Sequence, residues 1–282
     1  MNQTSQFIQI DWAGQPTRIE YQWLGQERTH QPLMVFLHEG LGSLAMWKDF
    51  PQRLCQRLGC RGLVYSRPGY GRSTPREQGH RWGLDFMHRQ ADQVLPALLK
   101  ALAVDQVAQP LWLFGHSDGA SIALLHAAHS PDTVAACIVL APHILVEDIT
   151  IAKIVQTRLA YVEGDFRQRL ARYHDDPDSA FWGWNQIWLR PSFRAWSIAD
   201  EIATIDCPVL AVQGLDDPYG SMKQINGIVR RMPQTEVLKL SDCGHSAQRD
   251  QPEALLAAAA EFFQRHQTGY LRPPATGSNV SS

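Results

Sequence analysis

The chain carries almost no excess charge: 26 Lys and Arg stand against 28 Asp and Glu, a formal charge of −2. That balance gives no electrostatic reason to expect nucleic acid or an anionic membrane as a partner. No apolar run approaches the ~20 residues that span a bilayer. The start, Met1-Asn2-Gln3-Thr4-Ser5-Gln6, lacks the basic residues and apolar stretch of a signal peptide. Cysteines are few, odd in number and scattered (Cys55, Cys60, Cys137, Cys207, Cys243), with no CxxC pair. Reduced thiols fit that pattern better than a disulfide framework. No His, Cys or carboxylate grouping has metal-ligand spacing, and there is no internal repeat. The expectation is a soluble, cytoplasmic protein without metal, cofactor, nucleic-acid or membrane partner. Nothing in the sequence distinguishes a monomer from a homodimer.

What is present is an ordinary globular composition, 44% hydrophobic and 19% charged over 282 residues. That length supports one large core, or a core with an insertion. The chain is organised around Gly115-His116-Ser117-Asp118-Gly119. These residues follow the apolar run Leu111-Trp112-Leu113-Phe114, read as a buried strand. They open the small and branched apolar stretch 120–128, read as a helix. Gly-x-Ser-x-Gly therefore sits where strand turns sharply into helix, the context a nucleophile elbow needs. Side chains at 115 or 119 would strike neighbouring backbone there. The helix start beneath Ser117 turns N–H groups and positive dipole toward any oxyanion formed at it.

In chain order, 7–10 and 17–21 alternate polar and apolar residues and predict an antiparallel hairpin at a sheet edge. The run 33–37 is continuously apolar, as a central strand covered on both faces should be. It leads into His38-Glu39-Gly40-Leu41-Gly42-Ser43 and a helix around 47–58. A strand at 62–65 ends in the turn-rich Ser66-Arg67-Pro68-Gly69-Tyr70-Gly71-Arg72-Ser73, and a helix over 86–102 precedes the elbow strand. A strand at 136–140 follows the elbow helix. Strand and helix alternating in this way predict a mostly parallel sheet with helices on both faces. The alternation stops over 143–200, which is helical and rich in large aromatics. It resumes with strands at 208–212 and 235–240 and a last helix over 252–265. Residues 267–282 have little to bury, and a disordered tail is expected there.

A serine hydroxyl is a weak nucleophile near neutrality and needs a base. Two later strands end in Gln213-Gly214-Leu215-Asp216-Asp217-Pro218 and Ser241-Asp242-Cys243-Gly244-His245-Ser246. Their C-terminal ends form the sheet edge at which open α/β sheets hold their sites. With His-x-Gly after the third strand and Arg-x-Gly-x-Gly-x-Ser after the fourth, the chain resembles the α/β-hydrolase superfamily over roughly 34–265. The resemblance implies an α/β-hydrolase fold: about eight mostly parallel strands with helices on both faces and a helical cap. The core would comprise 1–142 and 201–266, and the cap 143–200. The resemblance implies Ser117 as nucleophile, His245 as general base and Asp217 as the orienting acid. Asp217 stands three residues after Gly214, and its neighbour Asp216 is the competitor. His126 and His129, on the elbow helix, are read as packed or exposed residues rather than ligands.

The oxyanion hole would use the backbone N–H groups of Asp118 and Gly40, with Leu41 as the alternative to Gly40. Where the family commonly has His-Gly, this chain has His38-Glu39. A carboxylate facing a developing oxyanion raises the barrier, so Glu39 should point away or be paired. Arg67 or Arg72 is its candidate partner, with a simply solvated Glu39 as the alternative, and Asp118, in a first helical turn, can face outward. Leu41, His143, Trp182 and Trp188 are the candidate substrate contacts. The implied reaction is hydrolysis of a carboxylic ester of a small or medium apolar substrate through an acyl-enzyme. Relatives with the same triad hydrolyse carbon–carbon bonds in ring-cleavage diketones, which is the alternative within the class. A non-catalytic small-molecule binding protein on the same fold is the alternative outside it.

Overall fold

The computed structural model describes residues 5–106 and 108–267. Apart from Gln267, the expected disordered tail lies outside the described residues. Eight strands form one sheet: β1 (Gln6–Trp12), β2 (Gln15–Leu24), β3 (Leu33–Leu37), β4 (Arg61–Tyr65), β5 (Leu111–His116), β6 (Val134–Leu140), β7 (Val209–Gly214) and β8 (Glu236–Leu240). Their order is β1-β2-β4-β3-β5-β6-β7-β8. The expected hairpin β1–β2 is antiparallel and pairs antiparallel with β4; from β4 to β8 every pairing is parallel.

The apolar runs become central strands because each supplies two cores. Leu33, Val35 and Leu37 of β3 and Leu111 and Leu113 of β5 point to one face. Met34, Phe36, Trp112 and Phe114 point to the other. The second face is covered by α1 (Phe50–Leu58), α9 (Ala247–Asp250) and α10 (Pro252–His266). The first is covered by α2 (Phe86–Arg89), α3 (Leu95–Ala101), α4 (Asp118–His129) and α8 (Met222–Arg231). Between β6 and β7 lie α5 (Asp148–Glu163), α6 (Phe166–Leu170) and α7 (Pro177–Trp188), joined to the first core through Ile154, Phe181 and Trp188. No strand interrupts this segment, which holds only an isolated bridge between Leu145 and Ser197.

Three elements differ from expectation. The helix read around 47–58 starts as a 3₁₀ turn at Leu44–Trp47 and breaks at Lys48, whose φ is 56°, before α1. The helix over 86–102 contains a π turn at Gln90–Val94. Pro96, in the first turn of α3, supplies no N–H and crowds the preceding carbonyl row, so the helix widens there. Helix α8 was not expected; Ser221 caps it by accepting from the Lys223 N–H, and Ile225 and Ile228 form its buried stripe.

This topology gathers the chemistry. From β3 the chain continues to β4 on one side, and β5 lies on the other. The crevice of such a sheet opens at that reversal, beyond the carboxyl ends of the strands. Loop 38–42 and Ser117 stand at its two sides, and the loops after β7 and β8 close around it.

Candidate active site

Ser117 is held in a strained turn. It caps α4 with φ 54° and ψ −120°, a conformation a serine adopts only when its surroundings enforce it. The Ser117 N–H donates to the Leu140 carbonyl at 2.9 Å, and its own carbonyl accepts from the N–H groups of Ala120 and Ser121. Glycines 115 and 119 make room for the turn. A Cβ at 115 would collide with the Gly119 carbonyl, and one at 119 with the Leu37 carbonyl.

His245 and Asp217 meet at the ends of β8 and β7. His245 Nδ1 lies 2.9 Å and 2.8 Å from the two Asp217 oxygens. The carboxylate is itself fixed: Gln213 Nε2 donates to Oδ2 at 2.8 Å and the Tyr219 N–H to Oδ1 at 2.8 Å. Burial pushes the Asp217 pKa up, but hydrogen bonding and attraction from His245, with the Tyr219 N–H, hold it below the ordinary range. Asp216 is exposed. Gly214 permits the approach of the two loops, since a Cβ there would strike the carbonyls of Cys243 and Gly244.

A cavity of about 480 Å³ is bordered by Ser117, Asp118, His245, Glu39, Gly40 and Leu41. His143, Trp184, Trp188, Ile154, Phe166 and Tyr219 supply its aromatic and apolar walls. Three of the sequence-read candidates, Leu41, His143 and Trp188, thus line this cavity. Trp182, the fourth, does not: it lines a separate groove with Arg158 and Arg190, the Arg158 guanidinium 5.6 Å from its ring. Helical spacing explains the correction, because Trp184 and Trp188 are four apart and share a face that Trp182 does not. His143 stacks edge-on against Trp188 at 5.1 Å and lies 5.9 Å from the His245 ring. Burial, with repulsion from His245, lowers its pKa to about 3, so it is neutral. His126 is buried, its Nδ1–H donating to the Ala91 carbonyl, and His129 faces Asp92 and Glu201.

Glu39 does not pair with an arginine. Arg67, 1% exposed, spends its guanidinium on the Glu39 main-chain carbonyl at 2.8 Å and on the face of Tyr70. Arg72 lies nearest Asp175. The same Glu39 carbonyl accepts from His38 Nδ1–H at 2.7 Å, while His38 Nε2 accepts from the Arg67 N–H at 3.0 Å. With its main chain pinned, Glu39 turns its carboxylate to His116 Nδ1 at 3.3 Å. His116 Nε2–H donates to the His245 carbonyl at 2.7 Å, and the Gln248 amide reaches Nδ1 at 3.1 Å. Burial opposes charge on His116, yet bonding to Glu39 holds its pKa above the ordinary value. Burial would raise Glu39, and the His116 contact brings it down to about 2. The pair stabilises the fold while both groups are charged. The His116 contribution is full below the ordinary histidine pKa and fades as pH rises through the raised one. The Glu39 contribution is full above the ordinary carboxylate range and fades as pH falls through about 2.

The Asp118 side chain does not face outward either. Every residue from Asp118 to Ala127 is buried, so α4 has no solvent face to offer it. Oδ1 accepts from Trp188 Nε1–H at 3.2 Å. No donor among the described residues reaches Oδ2.

The comparisons with known proteins agree with this architecture. The model of the alpha/beta hydrolase family matches residues 34–259, and the chain belongs to that family. No curated protein matches the sequence significantly. Among solved structures, the chain is similar to a bacterial membrane phospholipase A (TM-score 0.73, 20% identity, 94% of this chain and 87% of that one). It is also similar to the proline iminopeptidase of Mycobacterium smegmatis (0.72, 16%, 94% and 99%). A carboxylesterase of Nitrososphaera gargenis is similar as well (0.71, 19%, 93% and 100%). At these identities the likeness establishes the fold, and the family match makes the protein a hydrolase. No helix among the described residues is long and apolar enough to cross a membrane.

Proposed function

We propose that the protein is a serine hydrolase that cleaves a carboxylic ester through an acyl-enzyme. The observation that carries this reading is the shared cavity. Ser117, on its strained elbow, and His245, its Nδ1 fixed by both oxygens of Asp217, both border it. Asp217 keeps the proton on Nδ1, which leaves Nε2 as the base that takes the Ser117 proton. Ser117 Oγ attacks the ester carbonyl. The negative oxygen then forms against the N–H groups of Gly40 and Asp118, each such donor being worth ~10²–10³ in rate. His245 returns its proton to the leaving alcohol, and water, deprotonated by the same imidazole, releases the acid. The segment 143–200 acts as the lid, with Trp184 and Trp188 as the wall against the acyl group and His143 as a neutral neighbour of His245. The partner is a small-molecule carbonyl compound.

The test is a rapid-mixing experiment with p-nitrophenyl esters from acetate to octanoate. Wild type is expected to release one equivalent of p-nitrophenol per enzyme in a burst, followed by slower turnover. Ser117→Ala is expected to show neither phase above background. A wild type inactive across the series would refute the reading.

A further inference from the structure

Arg67 is a buried charge with no part in the acyl-transfer steps. It is 1% exposed, yet no carboxylate among the described residues lies within ion-pairing distance of it. Its guanidinium bonds to the Glu39 carbonyl at 2.8 Å, its Nε has no acceptor, and the Tyr70 ring lies 4.7 Å away. Taking a cation out of water without an ion pair is costly, and an apolar side chain of similar length would fill the same space without that cost. The charge therefore points to a use other than stability.

What the guanidinium holds shows the use. The Glu39 carbonyl accepts from Arg67 Nη2, from His38 Nδ1–H at 2.7 Å and from the Gly42 N–H at 3.0 Å. A carbonyl oxygen has two lone pairs, so three donors, one of them charged, draw strongly on its electron density. His38 is neutral, because burial, with repulsion from Arg67, holds its pKa well below the ordinary value. Its Nε2 is left to accept the Arg67 main-chain N–H at 3.0 Å. The other edge of the Glu39–Gly40 peptide is the Gly40 N–H. The peptide is planar and trans, so this N–H points away from the three donors. It has no acceptor among the described residues, and Gly40 borders the cavity while Arg67 does not. Polarising a peptide at its oxygen makes its N–H a stronger donor. The Ser117–Asp118 peptide is held in the same way, its carbonyl accepting from Ala120 and Ser121, but there a helix start supplies the polarity. Gly40 lies outside any helix, and the cation stands in for one. Arg67 also attracts the buried Asp118 carboxylate, which borders the same site and would otherwise oppose a forming oxyanion. Resting on the ester-hydrolase reading, we propose that Arg67 is a positioning residue of the oxyanion site. It fixes the Glu39–Gly40 peptide by its carbonyl, and its buried charge strengthens the Gly40 N–H toward the ester oxygen.

The experiment compares p-nitrophenyl acetate with its thiono analogue, in which sulfur replaces the carbonyl oxygen. The leaving group is the same, but the negative charge collects on sulfur, a larger atom and a weaker hydrogen-bond acceptor. The pair therefore isolates what the oxyanion donors contribute. Wild type is expected to prefer the oxygen ester in kcat/KM beyond the ratio that hydroxide gives. Arg67→Met, which fills the space without charge, is expected to lower kcat/KM for the oxygen ester by about tenfold to a hundredfold, the scale of a hydrogen bond to a charged group. The loss on the thiono ester should be less than about threefold. Its melting temperature is expected to hold, since an apolar side chain in place of a buried charge is often neutral. Arg67→Lys, which restores a cation, should stand between wild type and Arg67→Met in the oxygen-to-sulfur ratio. Arg67→Gln, neutral and polar, repeats the comparison if the methionine variant does not fold, and its ratio should fall by about tenfold as well. A wild type without the oxygen preference overturns the proposal and leaves the esterase reading intact. So does a folded neutral variant that keeps the wild-type ratio or loses equally on both esters. Failure of both neutral variants to fold also overturns it, because the guanidinium is then a structural cation. A wild type inactive on both esters refutes the ester-hydrolase reading, and the proposal with it.

Discussion

Asp217→Asn is expected to lower kcat for ester hydrolysis by about 10⁴, and Asp216→Asn by less than about twofold. The two residues are adjacent and chemically identical, so the contrast isolates geometry. Asp217 accepts the His245 Nδ1 proton through both oxygens and is locked by Gln213 and the Tyr219 N–H. An asparagine in that lock presents an N–H to Nδ1, which then accepts and moves the ring proton to Nε2. The base for Ser117 is lost while shape and packing stay. Asp216 is exposed, and it is Asp217 whose carboxylate accepts from the His245 ring, so an amide at 216 leaves that bond unchanged. Steady-state kinetics with matched melting curves check this. Equal losses at both positions, or a large loss at Asp216 alone, would reassign the acid.

The second large effect is on stability. Gly119→Ala is expected to cost more than about 4 kcal/mol, the range reserved for overpacking that cannot relax. The added methyl would meet the Leu37 carbonyl and the His38 carbonyl. Both belong to the strand and loop that carry Gly40, and no flexible side chain stands between. Relief would require β3 and α4 to separate, opening the core at its centre. Gly79→Ala is the control: its φ is +82° but nothing lies within 4 Å of the added Cβ. That change should cost only the ~1 kcal/mol of an unfavourable backbone conformation. Melting temperatures of the two variants decide the matter. Gly119→Ala should fall by about eight degrees or more, at roughly 2–4 °C per kcal/mol for a chain of this size, or fail to fold. Similar small shifts in both would show that the elbow tolerates a side chain.

The sequence was most readable where one local signal fixed one structural outcome. Unbroken apolar runs at β3, β5 and β7 belong to strands covered on both faces, and the period-2 pattern of β1 and β2 marks the sheet edge. The elbow was readable because Gly115 and Gly119 have no alternative to being glycine. What escaped reading was set by contacts distant in sequence. Glu39 finds His116, 77 residues on, because Arg67 is already engaged by the Glu39 main chain, and no local pattern reports that. Asp118 turns inward because α4 is buried all round. The unbroken small and apolar stretch after it carried that signal, and a dipole argument alone overlooked it. Trp184 in place of Trp182 was available from four-residue spacing once Trp188 was chosen. The π turn before Pro96 and the helix α8 depended on boundary detail that periodicity does not resolve.

The most direct test of the account is the covalent intermediate itself. Wild-type enzyme mixed with p-nitrophenyl acetate, quenched in acid within milliseconds and digested, should yield one acetylated peptide with the added mass on Ser117. The adduct should be absent from Ser117→Ala, and it should accumulate in neither Asp217→Asn nor a His245→Ala variant at the same mixing time. Turnover without an adduct on Ser117, or an adduct on another residue that persists in Ser117→Ala, would contradict the assignment of the elbow serine as nucleophile.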